Sequence, residues 1–374
     1  MSGRERPKRS GRTGVWVIAL GALALGMLLL APPTRAGPTD PAAPSKPQAK
    51  APPKKKPNRL APLPPGPQVA WAHAPYEVGD CAVCHERNDK NDPGKLIKKD
   101  VNELCFSCHE DMEEELEDLP FPHEAAEDSC TECHNPHNAK LKKLLLTEAP
   151  ELCFECHEEI EELVESSSVT HGAVDEGRSC LNCHGAHASN VQFLLLELPY
   201  NLCIKCHAKD GLKDDAGKPM PNFKEVLMEN RVWHDPVAKK DCSACHKPHG
   251  SSNYRLLVEA YPEKFYAPYD PKNYALCFKC HNEQMVAEPK TTTLTKFRDG
   301  DRNLHFVHVN KADRGRTCRA CHEVHAAPHE HQIRASVPYG TSSWMLKLNY
   351  VPTATGGRCE KTCHATKSYN NTKR

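Results

Sequence analysis

Ten pairs of closely spaced cysteines, each followed at once by a histidine, constrain this 374-residue chain more than any other feature. Nine pairs read C-x-x-C-H, and the tenth reads CEKTCH, with one more residue between the thiols. The pairs are Cys81 and Cys84, Cys105 and Cys108, Cys130 and Cys133, Cys153 and Cys156, Cys180 and Cys183, Cys203 and Cys206, Cys242 and Cys245, Cys277 and Cys280, Cys318 and Cys321, and Cys359 and Cys363. The histidines that follow them are His85, His109, His134, His157, His184, His207, His246, His281, His322 and His364.

Three common uses of paired cysteines leave these histidines unexplained. Zinc sites use C-x-x-C pairs two at a time without requiring a histidine after each pair. A disulfide framework accounts only for the even number of cysteines, and a thioredoxin-type motif would occur once. Covalent attachment of haem c explains every histidine, because the thiols add across the haem vinyl groups and the next imidazole becomes an axial iron ligand. We therefore predict ten haem c groups, with a C-terminal disulfide as the alternative for CEKTCH.

The composition agrees with an interior filled by cofactor. Only 39% of the residues are apolar, whereas ordinary globular domains contain roughly 45–50%. A chain of this length could form two or three domains, but it lacks the side chains for conventional cores. The leucine-rich runs LKKLLL, VQFLLL and YRLLV are therefore expected to cover haem.

Further histidines recur in register with the motifs. In C-x-x-C-H-x-x-H the two histidines lie on one face of a helical turn. Because the axial ligands of one iron lie on opposite sides of the porphyrin, the second histidine is free to reach a neighbouring iron. This set contains His137, His187, His249 and His325, and a second set, which precedes alternate motifs, contains His73, His123, His171, His234 and His308. We predict that these nine are the distal ligands and that the histidines within the motifs are the proximal ligands.

Nine distal ligands leave one of ten irons unassigned. The first motif reads CAVCHERN, with Asn88 at the position that a histidine occupies in CTECHNPH. The tenth ligand could come from His305, His329 or His331, or from a methionine, which would raise the reduction potential. No methionine falls at a repeated offset. An iron with an open position, and hence a catalytic site, is the third alternative.

These marks define five two-haem repeats, at about residues 73–109, 123–157, 171–207, 234–281 and 305–364. The runs that follow His109 and His157 place apolar residues at helical spacing. We predict a multihaem cytochrome c fold, in which short α-helices and coil wrap around stacked c-type haems with little or no sheet.

The N-terminus indicates export. Residues 1–36 combine basic residues, an apolar run and a small-residue cleavage site, as in a signal peptide; the alternative is an uncleaved N-terminal anchor, which would be the one contact with a membrane. Residues 37–70 form a proline-rich linker, expected to be extended and unpacked, and residues 71–374 form the decahaem region. We predict a periplasmic location, with association at the inner or outer membrane as the variant.

Charge narrows the range of partners. Residues 1–68 hold 12 of the 49 basic and 2 of the 49 acidic side chains, so the remainder of the chain has a formal charge of −10. A negative body disfavours nucleic acid as a partner and is compatible with steering toward a basic redox protein.

Over about residues 73–364 the chain resembles the doubled-CXXCH multihaem cytochromes c, which are relatives of the cytochrome c3 type. The paired motifs, the forms CHNPH and CHKPH, and the LCFxCH second halves carry the resemblance. It implies closely packed bis-histidine haems, low reduction potentials and bacterial respiratory electron transfer. Ten haems are also similar to the decahaem cytochromes that sit inside outer-membrane porins. Asn88 and CEKTCH, one near each end, depart from the pattern.

The function predicted is an electron-transfer wire for bacterial anaerobic or extracellular respiration, with no catalytic residues. Its expected partners are redox proteins: other cytochromes, a quinol-oxidising complex or an outer-membrane porin. The alternative is a multihaem reductase with one open haem, acting on a nitrogen or sulfur oxyanion, although the CxxCK motif of multihaem nitrite reductases does not occur in the sequence. A filament subunit would share the chemistry of the wire and differ in its assembly.

Overall fold

The computed structural model describes residues 59–66, 69–214, 216–339 and 344–373, all within one compact unit, Lys56–Arg374. The predicted signal peptide, and the predicted linker as far as residue 58, lie outside the described residues. In the part of the chain that is described, no helix is long and apolar enough to cross a membrane.

The α-helices are short, and none that the structure describes exceeds nine residues. The predicted helices after His109 and His157 are confirmed as α3 and α6. The helices are α1 (Ala74–Glu77), α2 (Val101–Phe106), α3 (Glu110–Asp118), α4 (Glu124–Asp128), α5 (Glu151–Phe154), α6 (Glu158–Ser166), α7 (Gly172–Asp175), α8 (Pro199–His207), α9 (Phe223–Glu229), α10 (Asp235–Ala238), α11 (Ala275–Phe278), α12 (Gln284–Ala287) and α13 (Leu304–Val309).

The expectation of little or no sheet is only partly right, because many very short strands are present. They are β1 (Trp71–Ala72), β2 (Phe121–Pro122), β3 (Asn138–Ala139), β4 (Val169–Thr170), β5 (Ala188–Ser189), β6 (Val232–Trp233), β7 (Gly250–Ser251), β8 (Tyr266–Ala267), β9 (Arg298–Asp299), β10 (Arg302–Asn303), β11 (Gly315–Arg316), β12 (Ala326–Ala327), β13 (Ser336–Pro338), β14 (Met345–Lys347), β15 (Tyr350–Thr353), β16 (Gly356–Cys359) and β17 (Lys367–Asn370). Strands of two to four residues are too short for a hydrophobic alternation to be read in the sequence.

Four of the two-stranded sheets join each repeat to the next in the same way. The strand that precedes a distal histidine in one repeat pairs antiparallel with the strand that follows the C-x-x-C-H-x-x-H histidine of the next repeat: β1 with β3, β2 with β5, β4 with β7 and β6 with β12. At the first joint the amide of His73 donates to the carbonyl of His137 at 2.8 Å, and the other three joints repeat this bond. The short strands are therefore the couplings between repeats.

The C-terminal segment forms a different structure. Strands β15, β16 and β17 make a three-stranded antiparallel sheet in the order of the chain. A Cβ atom added at Gly356 would lie 2.1 Å from the carbonyl oxygen of Tyr369, so this close strand approach requires glycine. The sheet holds Cys359, the first thiol of the tenth motif, at the end of β16.

A small conventional core cluster lies in the region of the fourth repeat and the start of the fifth. It consists of Leu257, Tyr261, Tyr274, Val286 and Val309, and Tyr274 is completely buried. Elsewhere the short elements surround the cavity described next rather than one another.

Candidate haem-binding sites

Each C-x-x-C-H motif is folded as one helical turn. In the first motif the amide of His85 donates to the carbonyl of Cys81 at 2.9 Å, and the corresponding bond in the second motif, from His109 to Cys105, is 3.0 Å. The first motifs of repeats one, two, three and five begin as 3₁₀ turns (Cys81–Val83, Cys130–Glu132, Ser179–Asn182 and Cys318–Ala320), whereas the second motifs of the first four repeats begin in α-helices. Positions i, i+3 and i+4 of a turn share a face, so both thiols and the imidazole point the same way.

The tenth motif has a different backbone. Cys359 ends β16, and the backbone is in a left-handed conformation at Lys361, with φ 25°. The imidazole Nδ1 of His364 donates to the carbonyl of Ala365 at 2.7 Å. The extra residue of CEKTCH therefore fits a motif that starts from a strand instead of a helical turn.

One continuous cavity of about 4840 Å³ runs through the described unit, and all twenty cysteines and all twenty-two histidines line it. A site for one medium-sized organic ligand has a volume of roughly 300–1,000 Å³. One tenth of the cavity, about 480 Å³, falls inside that range. Both the volume and the sulfur and imidazole lining fit a series of haems.

Eighteen of the histidines form nine pairs across this cavity. Their ring centres are 6.0–6.3 Å apart, and their planes are 9–32° from parallel. Each pair joins a motif histidine to one outside the C-x-x-C-H sequence: His85 with His137, His109 with His73, His134 with His187, His157 with His123, His184 with His249, His207 with His171, His246 with His325, His281 with His234 and His322 with His305.

This spacing is the one that a shared metal requires. A metal–imidazole bond is about 2 Å long, so two parallel imidazoles on opposite sides of one metal have ring centres roughly 6 Å apart. Aromatic pairs in direct contact have ring centres anywhere from about 4.5 to 7 Å apart, whereas all nine of these pairs fall between 6.0 and 6.3 Å. The pairs therefore fit axial ligation of an iron between them.

The pairing explains Asn88. His137, in the second repeat, faces His85 of the first repeat. In the same way His187, His249 and His325 each face the first motif of the repeat before their own. By the same rule, a histidine in place of Asn88 would not face His85. His85 therefore keeps its partner, His137, although Asn88 stands at this position.

The fifth repeat is arranged differently, because the histidines that lie near its two motifs come from within the repeat itself. Helix α13 carries two histidines three residues apart, His305 and His308. The ring centres of His305 and His322 are 6.3 Å apart. The charge of His364 acts on His308, which places His308 beside the tenth motif. The fully buried Asn303 caps α13 by accepting from the amides of His305 and Phe306 and thereby fixes its start.

Of the three histidines that the sequence offers as the tenth distal ligand, His305 is the one that faces a motif histidine. His329 and His331 face none of the motif histidines at this spacing. His331 has another part in the site, because its carbonyl accepts from Nδ1 of His322 at 2.8 Å. Assignment of the individual iron ligands remains a prediction to which this geometry conforms.

Backbone carbonyls fix the imidazole tautomers. In the first motif of each repeat, Nδ1 of the histidine bonds the carbonyl nine residues later, at 2.7–3.2 Å; the acceptors are Gly94, Lys143, Phe193, Arg255 and His331. A carbonyl can only accept, so Nδ1 carries the proton and Nε2 keeps the lone pair that a metal needs. All five acceptor residues have a left-handed backbone, with φ between 56° and 78°. Only the first is glycine, so the other four keep a strained conformation that places the carbonyl.

The distal histidines are held by the following repeat in the same manner. Nδ1 of His123 donates to the carbonyl of Ala186 at 2.9 Å, directly before His187. His73 bonds the backbone of Pro136, directly before His137, and His171 and His234 have equivalent partners. Each joint between repeats therefore orients two imidazoles.

Burial keeps these imidazoles neutral. It lowers the pKa of His325 to about 3 and that of His305 to about 4, with neighbouring cationic groups adding to the effect. Burial likewise lowers the pKa of His171 and His249. Neutral imidazole is the form that coordinates a metal.

The cysteines place the ten motifs in chain order. A hydrogen bond with Cys130 raises the pKa of Cys105, which puts the second motif of one repeat in contact with the first motif of the next. The same contact recurs between Cys153 and Cys180, Cys203 and Cys242, and Cys277 and Cys318. Within repeats, charge interactions join Cys84 to Cys108, Cys133 to Cys153, Cys183 to Cys206, Cys245 to Cys280, and Cys321 to Cys359 and Cys363. Successive motifs are therefore spatial neighbours from first to tenth.

The end of the proline-rich segment takes part in the first site. The carbonyl of Leu60 accepts from Nδ1 of His137 at 2.9 Å. Asn135 donates to the carbonyls of residues 59 and 61, Asn138 exchanges hydrogen bonds with the backbone of Leu63, and Arg59 forms an ion pair with Glu155 at 2.5 Å. Residues 59–66 are therefore docked, contrary to the expectation of an unpacked linker up to residue 70, because the amides of Asn135 and Asn138 satisfy their backbone.

Comparison with known proteins gives two findings. A family model described as "Doubled CXXCH motif" matches residues 73–114, 123–162, 171–212 and 234–286, which correspond to the first four predicted repeats. A 75-residue segment is 34% identical to the multiheme cytochrome MtrA of Shewanella baltica (strain OS185). That segment is 19% of this chain and 22% of the relative, so the match spans about a fifth of each protein.

Proposed function

Because the chain belongs to the doubled-CXXCH multihaem cytochromes, we propose that it is an exported decahaem wire for electrons in bacterial anaerobic or extracellular respiration. The observation that carries the proposal is the set of nine imidazole pairs at 6.0–6.3 Å, with His308 and His364 at the tenth motif. An iron held between the two imidazoles of such a pair would have no position left for a substrate. Electron transfer is therefore favoured over catalysis.

The side chains and the cofactor have separate roles in this proposal. Haem c, when bound, supplies reversible one-electron chemistry at its iron. The cysteines would attach each ring to its motif, the paired imidazoles would act as the iron ligands that favour a low-spin state, and the backbone carbonyls orient the imidazoles. Contacts between successive motifs keep neighbouring rings close, which electron transfer along the chain requires.

The similarity to MtrA supports partners of the redox-protein class. We propose a periplasmic location and transfer to or from another cytochrome, a quinol-oxidising complex or an outer-membrane porin. The relative is named a multiheme cytochrome, and the segment it shares with this chain is short. Co-purification with a porin from the native membrane would identify the partner.

Haem counting and spectroscopy test the function. We expect ten haems per chain by the pyridine haemochrome assay, and only low-spin bis-histidine signals by electron paramagnetic resonance (EPR) and near-infrared magnetic circular dichroism. A high-spin fraction of a tenth or more that binds nitrite or carbon monoxide would contradict the wire and favour the reductase. A folded, colourless protein from a host with working cytochrome c maturation would contradict haem binding altogether.

A further inference from the structure

The repeats fall into two groups of opposite charge. The first three, residues 73–207, contain 29 acidic and 10 basic side chains, a formal charge of −19. The last two, residues 234–364, contain 13 acidic and 19 basic side chains, a formal charge of +6. The two stretches are almost equal in length, so one series of similar sites passes from an acidic into a basic environment.

In the basic group, arginines lie beside the predicted ligands. Burial raises the pKa of Cys321 to about 12, and the positive charge of Arg316 opposes this rise. The same charge lowers the pKa of His308, so the guanidinium lies near both residues. The charge of Arg319 acts on His325 and Cys277. Two cations are thus close to sites of the seventh to tenth motifs.

Each of these arginines also has a buried Nε donor that lacks an acceptor in the described part of the chain. The Nε atoms of Arg316 and Arg319 are buried and have no hydrogen-bond partner among the described residues, and both side chains line the cavity. A buried charged donor without a partner is costly. Each haem carries two propionate carboxylates, which are suitable acceptors for guanidinium. The orphaned Nε atoms therefore fit haem propionates in this part of the cavity.

The acidic group has carboxylates in the corresponding places. Burial lowers the pKa of His187, while the carboxylate of Glu115 on α3 opposes that shift, so the negative charge lies near this predicted ligand. Helix α3 also places three acidic residues in its first turn, directly after His109, and α6 does the same after His157. No arginine of the first three repeats is among the described buried donors that lack acceptors.

Charge of this kind shifts a reduction potential in a known direction. The oxidised iron carries one more positive charge than the reduced iron, so a nearby cation favours the reduced form and a nearby carboxylate favours the oxidised form. Buried charges are screened less by salt than exposed ones. The arginines should therefore raise the potentials around them.

We propose that reduction potentials along this chain rise from the three acidic repeats to the two basic repeats, so that electrons collect beside Arg316 and Arg319. The inference rests on the proposed function, since it needs haem at these sites. An external one-electron donor supplies each electron, one site is oxidised as its neighbour is reduced, and no bond or proton changes. This rise in reduction potential, which we call the polarity of the chain, makes the C-terminal repeats the place where electrons leave toward an acceptor.

The test is a spectroelectrochemical titration of the purified holoprotein. In Arg319→Gln we expect the reduced-to-oxidised ratio at the high-potential end of the titration to fall at least tenfold, which is about 59 mV for a one-electron couple. Arg319→Lys, which keeps the charge, should restore most of the shift. The matched control is Arg231→Gln, because Arg231 is exposed.

A second variant tests the acidic half from the other direction. Glu115→Gln should raise the low-potential end of the titration and leave the high-potential end in place. Glu114→Gln, an exposed neighbour on the same helix, should move neither end. Haem content and the EPR spectrum are measured for every variant as checks on folding and ligation.

The outcomes separate this inference from the function. If the variants hold ten low-spin haems but Arg319→Gln shifts the titration no more than Arg231→Gln does, the polarity is wrong and the wire stands. If Glu115→Gln shifts the high-potential end, the assignment of the two ends is wrong. If the unaltered protein lacks haem, the proposed function fails first.

Discussion

The three N-terminal repeats and the two C-terminal repeats hold their imidazole pairs at the same spacing but in different surroundings. The ring centres of His157 and His123 in the acidic group are 6.2 Å apart, and those of His281 and His234 in the basic group are 6.1 Å apart. Around the first pair the helices are acidic, whereas the tyrosine-containing core lies near the second. The comparison indicates that the backbone joints set the spacing of the imidazole pairs, while the flanking side chains set the charge around each pair.

Removal of a predicted distal histidine gives the largest effect, and it should be equal in both groups. His137→Ala and His305→Ala should each convert one haem of ten from low-spin to high-spin, because each leaves one imidazole without its opposite partner. EPR spin quantitation measures the fraction. His329→Ala is the control, since His329 faces no motif histidine at this spacing, and a high-spin signal from it would contradict the assignment.

Variants that lack one haem and also carry His137→Ala show which haem His137 serves. In a background that lacks the first haem, Cys81→Ala with Cys84→Ala, adding His137→Ala should produce no high-spin signal. In a background that lacks the third haem, Cys130→Ala with Cys133→Ala, the signal should remain. The reverse result would mean that His137 serves the motif to which it is adjacent in the sequence.

Relief of backbone strain gives a smaller effect and separates the two groups. Phe193 and Arg255 occupy equivalent left-handed positions, with φ 61° and 56°. Phe193→Gly and Arg255→Gly should each raise the free energy of unfolding by about 0.5–1 kcal/mol, because glycine removes the left-handed penalty and loses some of that gain to chain entropy. Denaturant titration measures this change.

The two glycine variants should differ in potential. The Arg255 guanidinium acts on His246 and His325, so Arg255→Gly should lower the high-potential end of the redox titration. Phe193→Gly removes no charge and should leave the titration unchanged. Equal redox shifts in both variants would show that the strained turn, and not the charge, sets the potential.

The smallest effect concerns the docked segment at residues 59–66. Arg59→Ala removes the partly buried ion pair with Glu155. We expect the free energy of unfolding to fall by about 1 kcal/mol and amide exchange in this segment to become faster. Hydrogen exchange measured by mass spectrometry follows the segment directly. Arg87→Ala, which removes an exposed ion pair with Asp92, is the control and should leave exchange at residues 59–66 unchanged.

Much of the site could be predicted from sequence because thiol and imidazole spacings are local. A helical turn fixes how Cys130, Cys133 and His134 are arranged, and the same-face argument predicts different partners for His137 and His134, which face His85 and His187 in the structure. The role of Asn88 could not be read in this way, because it depends on which repeat supplies a ligand to which. Which repeat faces which is set by the two-residue strands at the joints, and such short strands leave no periodic signal in the sequence.

Other features depend on contacts that spacing does not encode. His305 could not be chosen over His329 and His331 until α13 was placed, although Asn303 before Leu-His is a capping signal. The carbonyls that bond Nδ1 belong to residues of unrelated types, from Lys143 to Phe193, since any residue has a carbonyl. The buried Nε atoms of the arginines are likewise a property of packing.

The joints between repeats have a consequence for how the protein is made. In the first four repeats, the imidazole that faces the first motif belongs to the next repeat, so a chain synthesised from its N-terminus has, after each of these repeats, one motif histidine whose partner is still to come. Each new repeat finishes the site behind it and opens another. In the fifth repeat, helix α13 supplies the histidine that faces His322 from within the repeat, so this pair forms without a contribution from a further repeat.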